Sequence, residues 1–169
     1  NDGKFGDFNY LTAVSYNKSD GFLMSKDAPN TLLHQSQNSR LRTNSDFERL
    51  NFFIRSEYKP TQGTSLGLSY NFTTAEKGVP SEEYLYAKDA RFWRYSDVNR
   101  NVVTFNAEQY LGQNLIFRTT LWGDFFNQQI DAYDSTYSTI KTKQKDKDFT
   151  FGNRFALEYE LFEKNWLTA

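Results

Sequence analysis

Cysteine is absent from this sequence, histidine occurs once, and only three prolines and nine glycines are spread over 169 residues. Without cysteine, disulfide frameworks and thiolate metal sites are excluded. His34 alone cannot furnish a histidine-rich metal centre, and it gives no support for a serine triad. No glycine-rich phosphate loop is legible either, so the reading is of a non-enzyme with no cofactor. An excess of charge is missing too: 20 basic residues face 21 acidic ones, which leaves no electrostatic case for nucleic acid as a partner. Mean hydropathy is −0.76, and no run approaches the roughly 18 apolar residues of a membrane helix.

What is abundant is aromatic. Sixteen Phe and eleven Tyr bring the aromatic share to 18%. A chain this polar overall and this aromatic in detail is reconciled by strands of which one face only is greasy. Phe47 to Phe72 displays the pattern. Leu50, Phe52, Ile54 and Tyr58 share one face with Ser56; Arg49, Asn51, Arg55 and Glu57 share the other with Phe53. After a Pro/Gly turn, Leu66, Leu68, Tyr70 and Phe72 alternate with Ser65, Gly67, Ser69 and Asn71. That is the signal of a β-hairpin.

Taken in order, the chain predicts a tight turn over residues 1–5 and a strand from about Gly6 to Tyr16. An irregular connection over about 18–46 follows, then the hairpin with its turn at 59–63. A second long connection, about 74–100, leads to a strand at about Asn101 to Tyr110. After a turn at 111–114 comes a strand at about Leu115 to Phe126 and a third long connection at about 127–147. The last full strand, Asp148 to Leu161, is followed by a turn at 162–165 and the start of a seventh. Short and long connections alternate strictly. Strands of about 10–12 residues also suit a tilted crossing of a hydrocarbon layer. The expectation is an all-β, antiparallel, up-and-down transmembrane β-barrel segment in a bacterial outer membrane, with short periplasmic turns and long outer loops. A soluble antiparallel sandwich is the competing reading, because it alternates too. The arginines decide: Arg49, Arg55, Arg118 and Arg154 all lie opposite the apolar stripe. Facing lipid, each would cost roughly 2–4 kcal/mol near the midplane. Glu57 and Glu158 join them on the face assigned to the lumen. Six strands and a stub fall short of the smallest barrels, of about eight strands.

The long connections carry Gly78-Val79-Pro80, Ala90-Arg91-Phe92-Trp93-Arg94-Tyr95, Leu121-Trp122-Gly123-Asp124-Phe125-Phe126 and Gln129-Ile130-Asp131-Ala132-Tyr133-Asp134 with Tyr137. With the Gly3-Lys4-Phe5-Gly6-Asp7-Phe8 entry, this combination resembles the barrel of TonB-dependent outer-membrane receptors. The resemblance implies a barrel of about 22 strands plugged by an N-terminal domain, of which this chain is expected to be a partial barrel segment with the plug domain absent. Its partners would be outer-membrane lipid, the rest of the barrel, the plug, a periplasmic TonB protein and possible other envelope proteins. The implied function is ligand binding by the outer loops followed by import. The alternative is a small structural or adhesive barrel whose loops bind a partner.

Candidate ligand-binding residues are Tyr84, Tyr86, Arg91, Phe92, Trp93, Arg94 and Tyr95, since aromatic faces stack on flat or sugar-like groups and guanidinium pairs with anions. The competing reading of the same residues is loop packing or an interfacial aromatic belt. Asp131, Tyr133 and Asp134 offer oxygen atoms, but their spacing fits no calcium loop.

Overall fold

The computed structural model describes residues 1–25, 27, 40–82, 85–86, 88–162 and 165–168. Among them there is no helix, and hence none long and apolar enough to cross a membrane. Eight strands form one antiparallel sheet in which each pairs with its sequence neighbour. They are β1 (Asp2–Phe5), β2 (Phe8–Ser19), β3 (Phe47–Thr61) and β4 (Thr64–Val79), then β5 (Trp93–Tyr110), β6 (Leu115–Tyr133), β7 (Ile140–Phe162) and β8 (Asn165–Thr168). The sheet is open: β1 and β8 are its edges and do not pair with each other.

Strand number and boundaries differ from the sequence reading in instructive ways. Asp2–Phe5 is strand rather than turn, because Asp2 and Gly3 pair with Leu11 and Tyr10. The turn is Gly6-Asp7, and Gly6 takes φ +57. A first central position at positive φ is what a type II′ hairpin turn demands of glycine. The turn expected at 59–63 narrows to Gln62-Gly63, with Thr61 paired to Thr64 and a register shift between Tyr58 and Thr61 around Pro60. A bulge is where a strand tolerates proline's missing donor.

The connection expected at 74–100 shrinks to residues 80–92. The strands pass through register shifts between Ala75 and Lys77 and between Tyr95 and Asp97, which hid their alternation. The connection expected at 127–147 shrinks furthest, to 134–139. Gln128 to Ala132 pair with Thr142 to Asp146 residue by residue. Apart from Ile130 and Ala132 their side chains are polar on both faces, so no greasy stripe betrays them, yet the backbone ladder needs none. The first connection runs from residue 20 to residue 46, where a bridge joins Leu23 and Leu41. His34 lies outside the described residues.

Register fixes what each face carries. One row joins Val14, Phe52, Phe72, Asn101, Phe125 and Phe149; the next joins Thr12, Ile54, Tyr70, Val103, Gly123 and Phe151. Behind them Asn9, Glu57, Gly67, Asn106, Thr120 and Arg154 form a row of the opposite face. The apolar face packs on itself: Phe125 and Phe149 have ring centroids 4.8 Å apart, and Phe117 and Phe155 stack at 6.3 Å. Nothing covers it. Phe149, Phe151 and Phe155 stay 59%, 65% and 60% exposed, and the only buried hydrophobic residues described are Phe92 and Ile116.

Candidate functional site

The long-connection end is held together by a short set of polar anchors. Asn44 sits in the left-handed region, φ 56, where Asn is among the few tolerated residues. Its Nδ2 donates to the carbonyl of Val79 at 2.8 Å and also to that of Trp93. Thus the end of the first connection is pinned against both β4 and β5. Gly78 permits this approach: a Cβ there would lie 2.3 Å from the Asn44 carbonyl oxygen. Gly78 N also donates to the Asp46 carbonyl at 2.9 Å. Arg94 Nη1 donates to Asp46 Oδ1 at 2.9 Å, and its Nη2 bonds the other carboxylate oxygen. That fork holds the Asp46 carboxyl below its usual range, against the upward push of burial. Below it, the buried Arg42 donates to the carbonyl of buried Ser81.

The second connection folds on an acid. Glu82 accepts from Arg91 N at 2.9 Å and from Arg91 Nε at 2.6 Å. The backbone bond from Arg91 leads, then Glu82's own amide and the guanidinium, in holding its carboxyl at about 2. The Arg91 guanidinium lies 4.9 Å from the Trp93 ring centroid, within cation–π range. Lys77 stands 4.7 Å over the Tyr95 ring in the same way. Phe92 is buried, edge-on to Tyr137 with centroids 5.4 Å apart, and Tyr137 also packs on Tyr133 at 5.9 Å. The Phe92 carbonyl accepts from Tyr133 N at 2.7 Å, which closes the second connection onto the end of β6.

This places the proposed ligand-binding set unevenly. Phe92 is a packing residue. Trp93, Arg94 and Tyr95 belong to β5 rather than to a loop, and Arg94 is engaged by Asp46. Tyr86 is 80% exposed, and the Arg91 side chain is 62% exposed although paired with Glu82. Tyr84 lies outside the described residues. Asp131 is buried and accepts from Gln129 Nε2 at 2.9 Å. Asp134 is occupied by Thr136 and Ser138, amides and hydroxyls alike. Burial pushes its carboxyl up, but those bonds outweigh burial and hold it below the usual range. Among the described residues no three acidic or histidine side chains converge on a metal site.

The charged residues assigned to the polar face do share that face. Arg118 Nε donates to Glu108 at 2.7 Å and its Nη1 pairs with Glu158, so one guanidinium ties β5, β6 and β7. Glu57 accepts from Ser65 and Asn9 and pairs with Lys59 at 3.2 Å. Arg49, Arg55 and Arg154 form no ion pair among the described residues. Arg55 borders a cleft of about 200 Å³ together with Glu57, Glu108 and Arg118, and Arg154 borders one of about 230 Å³ on the other side of Arg118. Arg100 chelates Asp124 through Nε at 3.0 and 3.1 Å, a pair the sequence reading missed. The anchors Asn44, Asp46 and Gly78 were missed as well. A lone glycine near a strand end was the available signal. The chain matches no protein-family model, no curated protein and no solved structure.

Proposed function

We propose that this chain is a segment of an outer-membrane β-barrel of the TonB-dependent receptor type, which binds a ligand with its long connections and takes part in its import. The observation that carries the reading is the apolar face. It runs across the whole sheet, packs only ring against ring, and leaves almost no hydrophobic side chain buried. A water-soluble sheet of this size would need a second layer over such a face. Lipid is the partner that suits it, and two of the polar side chains there are bonded within the sheet, although the buried Thr119 hydroxyl on the same face has no partner among the described residues. Tyr70 donates its hydroxyl to Asn101 at 2.6 Å, and the Ser56 hydroxyl donates to the Leu68 carbonyl. Polar groups facing hydrocarbon need such internal partners.

The remaining pieces agree. Leu50 to Tyr58 and Phe117 to Phe125 match the roughly 9–11 residues that a tilted strand needs to cross. The Arg118 and Arg100 ion pairs, and arginines without an ion pair among the described residues, occupy the opposite face, where a watery lumen or a plug domain would meet them. The open edges at β1 and β8 are where further strands of a larger barrel would pair. A TonB protein would supply the energy from the periplasm. The second reading, a structural or adhesive barrel, draws on the ring cluster Phe92–Tyr133–Tyr137, which stiffens the loops and leaves little of them free for cargo.

The absence of cysteine makes a clean topology test. Asp89→Cys in the second connection should react with a membrane-impermeant maleimide on intact cells. Gln113→Cys in a short turn should react only after the outer membrane is permeabilised. Labelling of Gln113→Cys but not Asp89→Cys on intact cells would overturn the orientation. Recovery of the unmodified protein in the soluble fraction would overturn the membrane reading altogether.

A further inference from the structure

β7 continues past the apolar face as Lys141-Thr-Lys-Gln-Lys-Asp-Lys147-Asp148. Alternation puts Lys143, Lys145 and Lys147 on the face of Phe149, Phe151 and Phe155, above those rings, and Lys141 follows at the register shift beside Ala132 and Tyr133. The acids go the other way. Asp146 and Asp148 point to the opposite face, where Asp146 accepts from Gln128 Nε2 at 2.8 Å. Solubility alone would be served by mixing the two signs on either face; here they are sorted. The neighbours across the ladder do not neutralise the lysines. Lys147 is opposite Asn127, Lys145 opposite Gln129, and Lys143 opposite Asp131, whose buried carboxylate is bonded by Gln129. All four lysines are exposed and none forms an ion pair among the described residues. Lys18, by contrast, stands on the same face two strands beyond β4 and is spent on Glu48 at 3.1 Å.

From this we infer that the four lysines bind the phosphate-bearing headgroups of the lipid leaflet at the long-connection end. The inference rests on the membrane reading above. Lysines two apart on a strand repeat every 6–7 Å or so, and the four span about 20 Å. That ladder presents a row of ammonium groups to a layer of anions, not a pocket to a single one. Long aliphatic stems lie along the apolar surface while the ammonium reaches the polar layer. A protein partner would be expected to meet mixed charge, and a free phosphate would need a convergent cradle. The occupant favoured is the lipid surface that already begins at Phe149.

The test uses the full-length protein that carries this chain, reconstituted into phosphatidylcholine vesicles with and without lipid A. Flotation of the vesicles reports insertion; lipid A retained per protein after re-extraction in neutral detergent reports headgroup binding. The wild type should retain lipid A in preference to phosphatidylcholine. Retention should fall about tenfold or more in a variant with Lys141→Gln, Lys143→Gln, Lys145→Gln and Lys147→Gln. It should also fall between about 0.05 and 0.5 M NaCl, as screening shortens the reach of charge. The four Lys→Arg changes should restore it, and inorganic phosphate should not displace the lipid. Should the fourfold variant fail to fold, the pair Lys143→Gln and Lys147→Gln should give an intermediate loss. Equal retention by wild type and Gln variants overturns the inference alone. A wild type that does not float with either vesicle overturns the membrane reading and this inference with it.

Discussion

On the face that carries Phe125, Phe149 and Phe155, rings meet rings and remain exposed. On the face behind them, Arg118 ties Glu108 to Glu158 and Arg100 grips Asp124. Both faces belong to one layer with one backbone, so propensity and hydrogen bonding are common to the two. What differs is the medium each is suited to. Apolar side chains left in water forfeit about 25 cal/mol per Å² that burial would return, and this face forfeits it across every full-length strand. Ion pairs with exposed members are worth little each, so the polar face is not what holds the sheet together. The comparison teaches that the sheet owes its stability to the ladder and to whatever covers the ring face.

The sharpest way to break that comparison uses two adjacent residues of β5. Phe105 pairs with Leu68 and Leu121 on the ring face, and Thr104 pairs with Ser69 and Trp122 behind it. Phe105→Arg should destabilise the vesicle-inserted protein by about 2–4 kcal/mol. Thr104→Arg should change it by about 0.5 kcal/mol or less. Reversible urea unfolding in phospholipid vesicles measures both. Equal costs would mean that the ring face does not meet lipid.

The same two faces explain what could be read from sequence. Greasy/polar alternation in β3, β4 and β7 announced itself because one face must stay dry, and register then carried the assignment across the sheet. Where both faces are wet the signal vanishes. Residues 141 to 147 alternate lysine with Thr, Gln and Asp, polar on both faces with no alternation in hydropathy, and so passed for a loop. Residues 1–5 were misread for a different reason. Asp2-Gly3 is a stronger turn pair on paper than Gly6-Asp7, and only pairing with β2 decides between them. At the site, aromatic and arginine residues were found by type, but type does not say that Phe92 packs while Tyr86 stays exposed. Asn44 and Gly78 act through backbone contacts over a long sequence separation, which no local pattern encodes.

A smaller effect is expected inside the polar face. Arg118→Ala leaves Glu108 and Glu158 facing each other without their shared cation. With Arg118 41% exposed, the loss should be about 1 kcal/mol. Glu108→Gln or Glu158→Gln in the Arg118→Ala background should recover part of it by removing the like-charge repulsion, measurable in the same urea titration. A loss as large as that of Phe105→Arg would show the polar face to be a dry core rather than a wet lining, and the contrast between the faces would collapse.

The smallest change is local and runs with pH. The Glu82 carboxyl is held at about 2, below its ordinary 4.5, chiefly by the amide of Arg91. A depressed acid contributes ordering that is fully present above the ordinary value and is lost as pH falls through the folded one. The second connection should therefore loosen between about pH 4.5 and pH 2, while the ring face, which has no charge to lose, should not respond. Hydrogen exchange at the Arg91 amide, corrected for intrinsic rate, reads this directly: its protection should drop across that window while that of Phe105 holds. Glu82→Gln should bring the loss up to neutral pH, because the amide is a weaker acceptor than the carboxylate. Arg91 is 62% exposed in this ion pair, so the effect should stay confined to the connection. If Phe105 lost protection in step with Arg91, the loop and the sheet would be one cooperative unit, and the rigidity of the long-connection end would derive from the sheet rather than from its own acid anchor.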